Sequence, residues 1–341
     1  MSDFNRSCLN EPNVFETNLH TVNVFDSCLY DTRAQGLATY NPSPGGMGGP
    51  SYDTDAAAYF SAVETAGGSF DLTAIDGTYT ESYVKTAHSD FYAGLKTDGL
   101  WSKLTEFYLL VGKTFDGLTV KGKGTGTLTN NNFVSGDLLA AGAGAGLTGD
   151  GSSKILDTNS VSGGTQNDSS LSAYGTKSDT NQEGSPAIAI ATDDASAPSR
   201  LTEFNNSIYL RINQSSSDIS LGVFPAYFIG SRVSSNSVKT YRNGLNIVSS
   251  SVLSTTPSTN NIILFGTSYS ASNATLTFAH IGTGLTDTDA ENLSLRVNKL
   301  MYDLGCSTYI DSGTVAAMGL DSDVQTYANA VLTAGGNWEG V

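Results

Sequence analysis

The sequence predicts a mainly β fold: an antiparallel β-sandwich of the jelly-roll kind, preceded by a small helical module and closed by a C-terminal helix. Three observations predict it. Between about residues 113 and 285 apolar residues recur at period two, and turn-forming residues interrupt them every ten to twenty positions. On either side of that region the apolar spacing switches to i, i+3, i+4, i+7, the period of one helix face. The composition agrees, with 39% hydrophobic residues, only 15% charged ones and 37 glycines, a balance suited to short strands joined by polar turns.

Residues 1–50 read as an arm. Its apolar residues, Val14, Phe15, Val22, Val24, Phe25, Leu29 and Tyr30 among them, are too few for a core and too many for a solvated tail. The segment "NPSPGGMGGP" (residues 41–50) is a Pro/Gly hinge that breaks helix and strand alike. The arm is therefore expected to anchor on a partner subunit, with Phe15 and Phe25 as contact residues.

Residues 51–112 read as a two-helix module. Ala56, Tyr59, Phe60, Val63 and Ala66 share one helix face, with Asp53 or Asp55 as cap and Gly67 as terminator. Thr78 and Glu81 have capping-box spacing, and Tyr83, Val84, Ala87, Phe91 and Leu95 continue a second helix to Gly99. Trp101 and "LTEFYLLVG" form an aromatic exit. Tyr59, Val63 and Trp101 are the packing or interface residues of this unit.

Residues 113–305 hold the sandwich. Its candidate strands are "KILDTNSV", "SPAIAIATDD", "SIYLRIN", "AYFIGSRV", "SVKTYRNGLNIVSS", "NIILFGTS" and "ATLTFAHIG". Asn243-Gly244 is the dipeptide preferred by tight hairpins, since both turn positions need positive φ. The closing helix has Thr286 as cap, Asp289 as its reciprocal partner, a stripe of Ala290, Leu293, Val297, Leu300, Met301 and Leu304, and Gly305 as terminator. Residues 306–341 are a connector and a partial repeat. "DTDAAAYFSAVETAGG" (53–68) returns as "DSDVQTYANAVLTAGG" (321–336), with nine of sixteen positions identical. This second copy is one helix of the module, expected to dock through Tyr327, Val331 and Trp338.

Seventeen basic against 33 acidic residues give a charge of −16. With no Lys/Arg cluster, that excludes nucleic acid as a direct partner. No apolar run approaches 18 residues, so no membrane insertion is expected. No charged segment followed by an apolar one begins the chain, so no export signal is expected. Cys8, Cys28 and Cys306 are scattered, without CxxC spacing, and His20, His88 and His280 are isolated, which leaves a zinc site without support. A bridge between Cys8 and Cys28 stays open.

Motifs of chemistry are sparse. "VGKT" (111–114) lacks the glycine a P-loop needs at Phe107. "GAGLTG" (144–149) fits GxGxxG but precedes a strand-like segment, so no helix N-terminus would face a pyrophosphate. Adjacent Asp193 and Asp194 point to opposite faces of a strand, and no ExDxE pattern provides the acid pair of a sandwich glycosidase. No cofactor is expected. Calcium is the one cation admitted, through the turn aspartates Asp150, Asp157, Asp168, Asp193, Asp194 and Asp218, with solvated turns as the plainer account. Tyr174, Tyr241 and Tyr269 are candidate rings for stacking on sugars, with core or interface packing as the plainer account of any one of them.

The segments "YRNGLNIVSS" and "NIILFGTSYSASNATLTFAHIGTGLTDTDAENLSLRVNKLMYDLG" resemble the end of concanavalin A-like (laminin-G-like) jelly-roll domains of bacteriophage virion proteins. "AAAYFSAVETAGGSF" and "LKTDGLWSKLTEFYLLVG" are similar to a module preceding such domains, so the resemblance covers about residues 53–305. It implies a non-enzymatic virion component: a tail fibre, baseplate appendage or capsid decoration assembled in the host cytoplasm. Its implied partners are other virion proteins and further copies of itself, with a host surface glycan as the alternative ligand. Glycan hydrolysis is implied only for relatives with the acid motif absent here. The matched positions (Asn243, Gly244, Gly282, Leu285, Thr286) mark folding, and no sugar ligand carries over.

Overall fold

The computed structural model describes residues 51–306 except 75–76, 141–143, 178–186, 195, 197, 205–206, 216–218, 221–223 and 268–269. The arm, the second repeat copy and with them Phe15, Phe25, Tyr327, Val331, Trp338, Cys8, Cys28 and His20 lie outside the described residues, as do Asp218 and Tyr269.

Four α-helices are described: α1 Thr54–Thr65, α2 Glu81–Thr97, the single turn α3 Phe115–Leu118, and α4 Asp287–Asp303. The first strands are β1 Leu104–Leu109, β2 Thr129–Asn131, β3 Leu138–Leu139, β4 Gly146–Thr148, β5 Ile155–Asp157 and β6 Ser169–Lys177. Next come β7 Ala187–Thr192, β8 Arg200–Phe204, β9 Ser207–Arg211, β10 Ile219–Ser220, β11 Ala226–Ser234 and β12 Ser237–Arg242. The last are β13 Leu245–Ser250, β14 Ile262–Leu264, β15 Gly266–Thr267, β16 Ser270–Ala271 and β17 Thr275–Gly282.

These strands form two antiparallel sheets. The eight-stranded sheet runs β13-β12-β11-β6-β17-β4-β3, with β1 also paired to β17. The seven-stranded sheet runs β10-β9-β8-β7-β14-β5-β2. Leu171, Ala173, Phe228 and Ile281 from the first sheet meet Ile190, Leu201, Leu210 and Leu264 from the second in one buried core. The architecture is thus the mainly β two-sheet sandwich that the sequence predicts, with helices before it and a helix after it.

A second core lies on the other face of the eight-stranded sheet. There α1, α2 and α4 cover Phe107, Tyr174, Tyr227, Tyr241 and Phe278. The period-3.6 stripe of α4 supplies Leu293, Val297, Leu300 and Met301, each contributing roughly 1.5–3 kcal/mol by leaving water. Thr286 and Asp289 form the expected capping box, and Gly305 takes φ +70° just beyond the helix. Asp53 caps α1 by accepting from the amides of Asp55 and Ala56. For α2 the cap is Thr80, which accepts from the Tyr83 amide, and not Thr78 as the S/T-x-x-E spacing suggests. Arg296 of α4 grips Asp98 at the end of α2 through two hydrogen bonds of 2.7 and 3.1 Å.

Two glycine positions show how strands replace the phosphate loop that GxGxxG suggests. Within "GAGLTG", β4 pairs with β17, and a Cβ on Gly146 would lie 2.5 Å from the Leu276 carbonyl oxygen. A Cβ on Gly149 would lie 1.9 Å from the Ser272 carbonyl oxygen. These glycines let backbones approach. At the β12–β13 hairpin, Asn243 and Gly244 both have positive φ, +50° and +86°, as the dipeptide predicts.

Strand β1 comes from "LTEFYLLVG", read from sequence as the exit of the helical module. It pairs with β17 over Leu104 to Leu109, so the boundary expected near residue 112 falls inside one compact unit. The reason is alternation: Phe107 and Leu109 face the helices while Tyr108 and Leu110 face the other sheet.

Candidate functional site

Among the described residues, two polar clusters are buried in the cores and a third group of polar side chains lies on the outer face of the seven-stranded sheet. The first is built on β17, β6 and β11. Alternation along these strands puts His280, Ser170, Ser172 and Tyr227 on the helix-covered face, and all four are buried. Ser170 donates its hydroxyl proton to the Thr283 carbonyl at 2.7 Å, so towards His280 Nε2, 3.1 Å away, it can only accept. His280 therefore carries its proton on Nε2, which leaves Nδ1 as the acceptor for the Ser172 hydroxyl, while the Tyr227 hydroxyl lies 3.0 Å from Ser172 Oγ and 3.2 Å from Nδ1. A serine beside a histidine resembles a nucleophile and its base, but here the serine proton is already engaged and no solvent reaches the cluster. Desolvation holds the His280 imidazole down at about 3.

The second is on β1. Glu106 and Lys121 are buried together, with Lys121 Nζ 2.9 and 2.8 Å from the two carboxylate oxygens. Ser160 donates to the same carboxylate at 2.7 Å and Tyr108 at 2.8 Å. Burial, followed by the Glu106 charge, pushes the Tyr108 phenol well above its ordinary value.

Tyr59 and Val63, singled out in the sequence, line a small cavity with Phe70, His88, Lys113 and Leu304. Its volume of about 20 Å³ fits one water. His88 Nδ1–H donates to the Val84 carbonyl at 2.8 Å, and the ring stacks on Tyr59 with centres 6.0 Å apart. Burial lowers its titration to about 4. Trp101 is half-buried beside Tyr92, and the ammonium groups of Lys123 and Lys96 lie 4.3 and 5.1 Å from its ring centre.

Both histidines imply an acid-labile fold. Their folded values, about 4 and about 3, lie below the ordinary 6.5, so the unfolded chain binds the extra protons. Their contribution is complete above pH 6.5 and is lost as pH falls towards 4 and then 3. Between pH 7.5 and 5.5 unfolding stability is expected to drop by about 2–3 kcal/mol. Urea midpoints measured at the two pH values check this, and His88→Phe should remove about half of the difference. Equal midpoints would contradict it.

Three of the turn aspartates considered for calcium accept hydrogen bonds from the protein itself. Asp150 accepts from the amides of Ser152, Ser153 and Lys154, Asp157 from the Asn159 amide and the Asn261 side chain, and Asp168 from the Gly284 amide. Among the described residues no three His, Cys, Asp or Glu converge. Tyr174 and Tyr241 are buried, in line with the packing account: both sit on the sheet face that the helices cover.

The third place is the outer face of the seven-stranded sheet. Strand β9 alternates half-buried and buried residues, so Ser207, Tyr209 and Arg211 face outward while Ile208 and Leu210 face the core. Register then aligns Arg211, Arg200, Ala191, Ile263, Asp157 and Thr129 in one row across six strands, with Ala191 and Ile263 buried at its middle. In the adjoining row Tyr209 lies opposite Thr202. The Thr202 hydroxyl is buried, with no hydrogen-bond partner among the described residues. Arg211 Nη1 donates to the Ser196 carbonyl at 3.2 Å. Sequence reasoning missed these residues, although the alternation in "SIYLRIN" was the signal that separates Tyr209 and Arg211 from the core.

No protein-family model matches the chain, and none of the curated proteins does. Solved structures match distantly. An HCR/D mutant superposes with a TM-score of 0.41 and 12% identity over 57% of this chain and 52% of its own. The binding domain of Paraclostridial Mosquitocidal Protein 1 gives 0.39 and 15%, over 61% and 56%. Trypanosoma rangeli sialidase in complex with sialic acid gives 0.39 and 11%, over 64% and 39%. The chain spans about half the length of the first two, and likeness this remote bears on neither ligand nor chemistry.

Proposed function

We propose that the chain is a non-enzymatic, lectin-like display module that binds a glycan on the outer face of its seven-stranded sheet. The observation that supports this is the row of half-exposed Arg211 and Arg200 beside Tyr209. It combines an aromatic ring with planar donors on a rigid sheet, while helices cover the outer face of the other sheet. A sugar offers such a face both an apolar side for the ring and hydroxyls for the donors. The setting in a bacteriophage particle, with the arm of residues 1–50 as anchor, is supported by the resemblance of the sequence segments quoted above.

A glycan array tests the binding. The full chain is expected to retain a defined set of glycans, and Tyr209→Ala is expected to weaken binding about tenfold, one stacking contact being worth about 1–1.5 kcal/mol. An array without hits, with and without added calcium, would overturn the reading. Mass spectrometry of purified particles tests the setting separately: the chain should be found at a fixed copy number.

A further inference from the structure

The face of α2 that meets α1 carries Lys85, His88, Tyr92 and Lys96, spaced i, i+3, i+7 and i+11. Their partners on α1 come in reverse order. Lys85 Nζ lies 2.5 Å from Glu64, the rings of His88 and Tyr92 stack on Tyr59, and Lys96 Nζ lies 2.7 Å from Asp53 and 2.5 Å from Asp55. The ion pairs thus close the two ends of the joint, and they engage every acid of residues 51–68. Between them lie Ala56, Tyr59, Phe60 and Val63, all buried, with His88 at the centre. His88 is 3% exposed. Its Nδ1–H donates to the Val84 carbonyl, which leaves Nε2 as an acceptor without a hydrogen-bond partner among the described residues. The titratable groups that line the small cavity with it are Tyr59 from α1 and Lys113, which lies 3.9 Å from Asp71. Phe70 and, from the end of α4, Leu304 add apolar groups, and no carboxylate lines the cavity among the described residues.

We propose that His88 is an acid trigger for α1: by taking up a proton at Nε2 it opens the α1–α2 joint while the sandwich stays folded. The arrangement of charges carries this. An imidazolium at position 88 is a third cation in the row between Lys85 and Lys96, with Lys113 across the cavity, and the acids of α1 are already held at its ends. A buried charge without a counter-charge is expelled towards water, and here that means parting the helices. Gly67, at φ +87°, and Gly68 follow α1 directly and provide a pivot. With the joint closed the imidazole titrates at about 4, against an ordinary 6.5 once it meets water. The open form therefore holds the proton more tightly, so opening is favoured as pH falls from 6.5 towards 4. The ratio of open to closed rises about 70-fold between pH 7.5 and 4.5. No residue of the glycan face takes part, so the two proposals stand or fall separately.

Hydrogen exchange of the full chain at pH 7.5 and 4.5, corrected for intrinsic rates, tests it. Protection of the α1 amides is expected to fall about 70-fold. At pH 4.5 the amides of β6 and β17 are expected to stay at least about tenfold better protected than those of α1. His88→Phe should hold α1 protection within about threefold over the same range, because nothing at that position titrates. If that variant does not fold, His88→Gln serves, its amide being able to reach the Val84 carbonyl without titrating. Amides of α1 and β6 that lose protection together would make the opening global and overturn the proposal. So would α1 protection indifferent to pH, or a His88 variant that responds to acid as the wild type does.

Discussion

Arg232→Met is expected to lower the unfolding free energy by about 4 kcal/mol or more. Arg232 is the largest fully buried side chain, and its charge has carbonyl oxygens and an amide around it. Nε donates to the Ile212 carbonyl at 2.8 Å; Nη1 donates to Val252 at 2.9 Å and to Ser234 and Ser235 at 3.3 Å; Nη2 donates to the Gln214 side chain at 3.4 Å. The guanidinium thus joins the chain leaving β9, in one sheet, to the β11–β12 hairpin and the segment after β13, in the other. Methionine fills the volume but leaves those acceptors buried and unmet. Arg232→Lys should recover little, because one ammonium cannot span acceptors held by a planar fork. Urea unfolding measures both variants, and a loss below 1 kcal/mol for Arg232→Met would refute the clamp.

Lys121→Met is expected to cost about 3–5 kcal/mol, because it leaves the Glu106 carboxylate buried without its counter-charge. The informative comparison is the double variant Glu106→Leu/Lys121→Met. Removing both charges removes the desolvation penalty on each, so more than half of the single-site loss should return. The remainder reflects the Ser160 and Tyr108 hydroxyls, which lose their acceptor. Losses that simply add would show that the two groups do not depend on each other.

The helices were legible because their signals are local. Caps, stripes and terminal glycines of α1 and α4 fall within a few positions of one another, and the hairpin turn at Asn243-Gly244 is equally local. Strand β6 was not read, although it is central to the larger sheet. Its sequence, "SSLSAYGTK", lacks a clear apolar period because both of its faces are buried for different reasons. Ser170 and Ser172 face His280, whereas Leu171, Ala173 and Gly175 face the sandwich core, where a Cβ on Gly175 would lie 2.4 Å from the Phe224 ring. Packing is the plainer account of Tyr174 and Tyr241 from sequence, but no local window shows that a helix layer is what covers them. The Arg200–Arg211 row and the Glu106–Lys121 pair depend on strand register and on chain crossings that no local window contains.

The pairing of β1 with β17 has a kinetic consequence. Leu104 lies beside Gly282, and β17 also joins β6 at the centre of the larger sheet. A chain emerging from the ribosome cannot complete that sheet until residue 282 is free, so the helices of the first hundred residues wait with their apolar stripes uncovered. Such long-range closure is slow, on the order of milliseconds to seconds or beyond. Throughout that interval the nascent chain depends on its excess of negative charge, more than on any finished core, to keep neighbouring copies apart.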